Sequence, residues 1–195
     1  MTELDPKWIR VSSILAMIPT KDADGKWGYP MQQINQEVLQ RKANLGSSVH
    51  AAIAAHCKGD FMPTSPKEEG YLESYLKWEK EIGFSLTSSI EERFYHPLMN
   101  LTGCVDMIIK LDGKYYITDF KCTVAADAVK WPIQGALYKL IVDNTPMDFK
   151  VEKTALFVQL NPSGELPKVH KYIITDTLMV SAISWYNSYI YLNNK

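Results

Sequence analysis

The sequence predicts an α/β (α+β) domain, a central mixed β-sheet flanked by helices. Apolar residues recur at helical spacing through most of the first 85 residues. From about residue 88 the pattern turns to alternating and continuous apolar runs, rich in β-branched and aromatic types, which read as strands over 90–96, 103–111 and 114–121. A helical segment then separates these from two more strands, 153–160 and 168–175, and a last helix closes the chain.

Each element has its own local signal. Residues 20–30 are polar and turn-rich, as in a surface loop. From Met31 to about Cys57, Leu45, Val49, Ala52, Ile53 and His56 follow helical spacing, with Gly46, Ser47 and Ser48 at the expected start. Ser65-Pro66-Lys67-Glu68 has the form of a capping box with proline at the first helical position. The helix it opens carries Tyr71, Tyr75, Trp78 and Ile82 on one face and ends near Gly83. Asp112-Gly113 is a two-residue hairpin signal. Lys130-Trp131-Pro132 opens a helix whose apolar side is Ile133, Leu137 and Ile141. Asn161 to Gly164 reads as a turn, and residues 176–192 as an amphipathic helix.

Composition bounds the function. The chain has 195 residues, 46% hydrophobic and 22% charged, so global disorder is excluded. One domain over 1–195 is expected, with 1–85 mainly helical, 86–175 the sheet core plus its helix, and 176–195 the C-terminal helix. The net charge of −1, with neither half strongly basic, excludes coating DNA by charge alone but leaves room for a local nucleic-acid site. Cys57, Cys104 and Cys122 are odd in number and lack C-x-x-C spacing, which argues against a disulfide framework or a four-cysteine metal site and for a reduced, intracellular setting. No apolar run approaches ~18 residues, so no signal peptide, membrane span or membrane partner is expected. No G-x-x-x-x-G-K-[ST] segment occurs.

The hairpin places two carboxylates. A two-residue loop at Asp112-Gly113 sets Leu111 opposite Lys114, Ile109 opposite Tyr116 and, in the same register, Asp106 opposite Asp119. Opposed residues have Cβ atoms ~4.5–5.5 Å apart. Lys121 shares their face, and Val105, Met107, Ile109, Tyr116 and Phe120 form an apolar opposite face. Two acids so close repel and resist burial, which a divalent cation would relieve. Carboxylate oxygens favour Mg²⁺ or Mn²⁺, and an added imidazole tilts the balance toward Mn²⁺. The alternative is a pair solvated at a sheet edge and bridged only by Lys121.

Asp106 followed by Asp119-Phe120-Lys121 resembles the acid…(D/E)-x-K core of the PD-(D/E)XK nuclease superfamily. Gly46-Ser47-Ser48-Val49-His50 resembles the G-[ST]-x-x-H element of its RecB-like exonuclease branch, and Gln134 and Tyr138 match the Q-x-x-x-Y element. Glu91, fifteen residues before Asp106, resembles the spacing in the mitochondrial genome maintenance exonucleases, and phage exonucleases are similar. Thr102-Gly103-x-x-Asp106 resembles the G-x-x-D of the branch, and Val11 to Leu15 its N-terminal segment. The resemblance spans roughly residues 44–140, with Val105 in place of the proline of the motif name and without the iron–sulfur cysteines of some subgroups.

The resemblance implies a restriction-endonuclease-like core and a metal-dependent DNA exonuclease with roles in DNA repair or recombination. His50, Asp106, Asp119 and the Phe120 carbonyl would form the shell of an Mg²⁺ or Mn²⁺ ion, with Glu91 a further ligand or an orienter of His50. Lys121 would orient or deprotonate the attacking water, or stabilise developing charge. Gln134, Tyr138, Ser47 and Ser48 would support the site or bind DNA, the serines at a helix start where free N–H groups favour phosphate. Trp27 or Trp131 would stack on bases, whereas Tyr71, Tyr75 and Trp78 read as core. His56, His96 and His170 read as structural or solvated. An endonuclease of the same superfamily, or an idle DNA-binding recombination protein, are the competing readings.

Overall fold

The computed structural model describes residues 8–21, 27–28 and 36–193. In chain order the elements are β1 (Ile9–Arg10), α1 (Val11–Met17), β2 (Thr20–Lys21), β3 (Trp27–Gly28), α2 (Gln36–Lys58), α3 (Pro66–Ile82), β4 (Ser85–His96), β5 (Leu101–Leu111), β6 (Lys114–Lys121), α4 (Lys130–Asp143), β7 (Val151–Gln159), β8 (Lys168–Ile173) and α5 (Asp176–Asn193). The main sheet runs β1-β5-β6-β7-β8, with β4 on the other edge of β5. It is mixed: β6 and β7 are parallel, while β4–β5, β5–β6 and β7–β8 are antiparallel. The crossover from β6 to β7 is α4, as a parallel pair requires.

Two apolar layers sandwich the sheet. On one face α1, α4 and α5 bury Ile14, Leu137, Ile141 and Ala182 against Leu101, Ile108, Ile117, Ala155 and Phe157. On the other, α2 and α3 bury Val49, Ile53, Tyr75 and Trp78 against Met107, Ile109, Phe120, Leu156 and Val158. Burial on both faces explains why β5 and β7 read as near-continuous apolar runs. Among the described residues, no helix is long and apolar enough to cross a membrane.

The local signals act where expected. Ser65 and Glu68 form the reciprocal capping box of α3, with Pro66 behind the cap and Gly83 ending the helix at φ 65°. Asp112 and Gly113 both take positive φ, 50° and 77°, the pattern of a type I′ turn. Gly164 donates its N–H to the Asn161 carbonyl at 3.1 Å and closes the predicted turn.

Three expectations change. The loop at 20–30 contains a short antiparallel pair, Thr20–Lys21 with Trp27–Gly28; residues 22–26 and 29–30 lie outside the described residues. The helix start expected at Gly46-Ser47-Ser48 is not a start. α2 runs unbroken from Gln36, so these three residues sit in its interior with their N–H groups committed to the helix, and residues 31–35 lie outside the described residues. Val105 does not share a face with Met107 and Ile109. It packs with Ile108 in the α4 layer, so the alternation along β5 changes phase at Asp106.

Gly70 of α3 packs against the turn after β7, where a Cβ would collide with the Pro162 carbonyl oxygen. Around Gly46, also helical, nothing lies within 4 Å of such a Cβ. Gly70→Ala should therefore cost about 2 kcal/mol of stability by overpacking, while Gly46→Ala should add about 0.5–1 kcal/mol. Urea unfolding of the two variants reads both signs.

Candidate metal centre

The site begins where two strands part. The β5–β6 ladder keeps the hairpin register from Leu111–Lys114 to Met107–Thr118 and then stops. Further along, β1 takes the vacated edge of β5 at Leu101 and Thr102. Asp106 lies in the interval, one residue short of the predicted ladder pair with Asp119. Its Oδ2 accepts the Phe120 N–H at 2.7 Å, so a side chain replaces the missing main-chain partner. This is the physical origin of the phase change in β5.

His50 reaches the same point from α2. Its Nε2 lies 3.0 Å from the Phe120 carbonyl, which can only accept, so Nε2 carries a proton. That bond turns Nδ1 toward Asp106 Oδ1 at 3.4 Å and Glu91 Oε1 at 3.6 Å. One donor atom from each of His50, Glu91 and Asp106 lies within 4.8 Å of the others, close enough to hold one cation. An imidazole held by a backbone carbonyl through its second nitrogen is the usual arrangement of a metal-binding histidine. A nitrogen and two carboxylate oxygens suit a hard or borderline divalent ion.

Glu91 gets there through an irregularity. The β4–β5 register shifts between Leu86 and Ile90. Thr87 fills the break, donating its hydroxyl to the Ile108 carbonyl and accepting the Ser89 N–H. Glu91 follows with φ at 51°, a left-handed conformation that costs a non-glycine residue roughly 1–2 kcal/mol. The Cys104 thiol donates to Glu91 Oε2 at 3.6 Å. Burial, with Glu91 beside it, pushes that thiol up to about 12, so it stays protonated and remains a donor. Cys104 was not singled out from the sequence. Its signal was its place two residues before Asp106, on the same face of the same strand.

Asp119 is not one of the three gathered donors. Its Oδ1 accepts Gln134 Nε2–H at 2.8 Å, and its Oδ2 lies 2.6 Å from Lys121 Nζ. Gln134 Oε1 accepts from the same ammonium at 2.9 Å, and Gln134 Nε2 also donates to the Tyr138 hydroxyl at 3.1 Å. Gln134 and Tyr138 are buried, so they meet the site from within the fold rather than from a DNA-facing surface. The Phe120 carbonyl accepts from His50 Nε2, which brings it to the same point. The Phe120 ring packs between Tyr75 and Trp78.

The remaining candidates separate. Ser47 lines the open groove beside His50 and Glu91. Ser48 contributes its hydroxyl to Glu68 of the α3 capping box, alongside the larger effect of the Ser65 N–H, and together they hold that carboxyl low. Trp131 is buried and stacks on Phe157 at 5.6 Å, which corrects its reading as a base-stacking residue. Trp27 is exposed. Tyr71, Tyr75 and Trp78 are core. His56 meets Glu79 at 2.9 Å, and His170 donates to Gln159 Oε1 at 3.0 Å. Gln159, also unremarked in the sequence, sits beside Lys121 across the parallel pair and donates to the carbonyls of Thr123 and Val124.

The electrostatics follow from this crowding. Burial alone would lower the His50 pKa, but the Asp106 carboxylate and then Glu91 carry it well above the ordinary imidazole value. Burial would raise Asp106, and His50 overrides it and brings the carboxyl down. Asp119 goes the other way. Burial and repulsion from Asp106 push it up to about 6, against the pull of Lys121.

No sequence-family model matches the chain, and no curated protein matches it in sequence. Solved structures do match in fold. An alkaline exonuclease from Laribacter hongkongensis aligns over 95% of this chain and 87% of its own, with a TM-score of 0.52 at 10% identity. An exonuclease candidate from Eubacterium rectale aligns over 93% and 78%, with a TM-score of 0.53 at 13% identity. The fold is shared with these proteins. It is a mixed α/β fold, a central mixed sheet flanked by helices.

A raised Asp119 opposes folding. Its folded value, about 6, exceeds the unfolded carboxyl value of ~3.9, so the folded state holds the proton longer and stability falls as pH rises from about 4 to 6. Without metal, Asp119→Asn should therefore stabilise the protein by up to about 3 kcal/mol at pH 8, with the gain vanishing toward pH 4. Denaturant midpoints of both proteins across this range measure it.

Proposed function

We propose that this chain is a metal-dependent DNA exonuclease of the RecB-like branch of the PD-(D/E)XK superfamily. One observation carries the reading. An imidazole from α2, a carboxylate from β4 and another from β5 converge beside the Asp119-Phe120-Lys121 segment of β6, within a fold shared with an alkaline exonuclease. An idle binding module has no use for that costly set of buried charges.

His50, Glu91 and Asp106 would hold Mg²⁺ or Mn²⁺, and Asp119 would join them once the cation offsets its repulsion with Asp106. The ion supplies Lewis acidity toward a phosphate oxygen and lowers the pKa of water. Phe120 fixes the imidazole through its carbonyl, so Nδ1 is the nitrogen left for coordination. Lys121 is held in place by Asp119 and Gln134. From there it orients the attacking water on a phosphodiester and stabilises charge developing on the phosphate. Gln134 and Tyr138 are positioning residues: they keep Asp119 and Lys121 aligned and need no contact with DNA.

Incubating end-labelled linear DNA and a closed circular plasmid with Mn²⁺ or Mg²⁺ tests the reading. Linear DNA should be lost from its ends while the closed circle survives. Asp119→Ala or Lys121→Ala should slow the reaction by ~100-fold or more. Survival of both substrates overturns the nuclease reading, and cutting of the circle favours an endonuclease.

Metal should compete with a proton. His50 sits between two carboxylates that favour its charged form, so binding at Nδ1 must displace a proton. Calorimetric Mn²⁺ titrations in two buffers of different ionisation enthalpy should show proton release. The apparent Kd should rise as pH falls, and Asp106→Ala should abolish binding.

A further inference from the structure

The groove at the metal centre does not end there. A cavity of about 480 Å³ is lined by Ser47, His50, Ala51, Ala54, Ala55 and Lys58 of α2, with Glu91 and Asp60. It therefore runs along α2, from the His50–Glu91–Asp106 group to the end of the helix. His50 and Lys58 are eight residues apart, ~12 Å at 1.5 Å per residue. Asp60 also lines an adjoining cavity that contains Phe61 and Met62. Phe61 is 90% exposed, a bare aromatic ring on the turn where the first groove ends.

We propose that this groove is a track for a single strand of nucleic acid leading away from the reaction centre, with Lys58 binding a backbone phosphate and Phe61 stacking on a base. The small side chains of Ala51, Ala54 and Ala55 form a floor that a sugar–phosphate backbone can approach closely. Lys58 forms no ion pair with a described residue, so its ammonium is available to an anion. Asp60, next to it, disfavours a phosphate beyond that point and leaves the following position to a base on Phe61. A positive side chain paired with an exposed ring is the combination by which single strands are held without sequence preference.

The proposal rests on the nuclease reading for its polarity but not for its test. Fluorescence anisotropy of a labelled oligo-dT is measured with Ca²⁺ present, with oligonucleotide integrity checked on a gel. Phe61→Ala should weaken binding by ~5-fold or more and leave the salt dependence intact. Lys58→Ala should weaken binding and reduce the slope of log K against log salt by ~0.7, the loss of one single-strand phosphate contact. Lys80→Ala on α3 is the control and should change neither. Both test residues are exposed, so the variants should fold, as circular dichroism will verify. The track is overturned if wild type does not bind oligo-dT, or if both variants match wild type within twofold.

Hydrolysis of bis(p-nitrophenyl) phosphate with Mn²⁺ keeps the two readings apart, because this small diester needs the reaction centre alone. Wild type, Lys58→Ala and Phe61→Ala should all retain it. Diester hydrolysis with unaltered oligo-dT binding removes the track. Altered binding with no hydrolysis by wild type removes the nuclease.

Discussion

Two aspartates are buried within a few ångströms of each other's partners, and the surrounding structure answers to their charge. Asp106 is settled by three groups from two elements: the Phe120 N–H and, at longer range, Lys121 of β6, and the His50 imidazole of α2. Asp119 has Gln134 and Lys121 but remains protonated well above the ordinary range for a carboxyl. The asymmetry is physical. A buried acid pair cannot both ionise cheaply with one imidazole and one ammonium to share, so one member ionises and the other carries the strain. The structure is thus short of positive charge at one defined point.

That shortage organises the helices as much as the ligands. α2 must dock on the sheet with His50 facing inward, which ties its register to the Phe120 carbonyl, while Val49 and Ile53 fill the layer around it. α4 must present Gln134 to the other side of the same seam, with Tyr138 behind it. Gly103 belongs to the same constraint, since a Cβ there would press into the Tyr138 ring at 2.7 Å. The two layers of helices therefore meet chemically through the gap between β5 and β6.

Much of this was legible in the sequence, for reasons that can be named. Asp112-Gly113 dictates its turn type, and the turn dictates the register that carries Asp106 toward Asp119. Proline and the capping box announce α3. Less legible was anything set by tertiary contact. Gly46-Ser47-Ser48 resembles a helix start, yet α2 continues through it because Leu45, Val49 and Ile53 pack on the sheet and outweigh local propensity. The ladder ends at Met107 because the Asp106 carboxylate takes the Phe120 N–H across the strands, so the phase change that splits Val105 from Met107 has no signal in the apolar pattern. Trp131 reads as an exposed aromatic near a helix start, but a strand beyond it in sequence, carrying Phe157, covers it. Cys104 and Gln159 act through partners whose nearness follows only from strand pairing.

The chain distances within the site differ greatly. Lys121 and Gln134 are 13 residues apart and belong to one strand–helix unit, whereas His50 and the Phe120 carbonyl are separated by 70. Closing the longer loop costs more chain entropy and brings its reward only when α2 has docked. A chain with just the hairpin and its crossover helix assembled would own both acids and the ammonium but no imidazole. The three-donor cluster is thereby a property of the finished fold, and a nascent or partly unravelled copy lacks it.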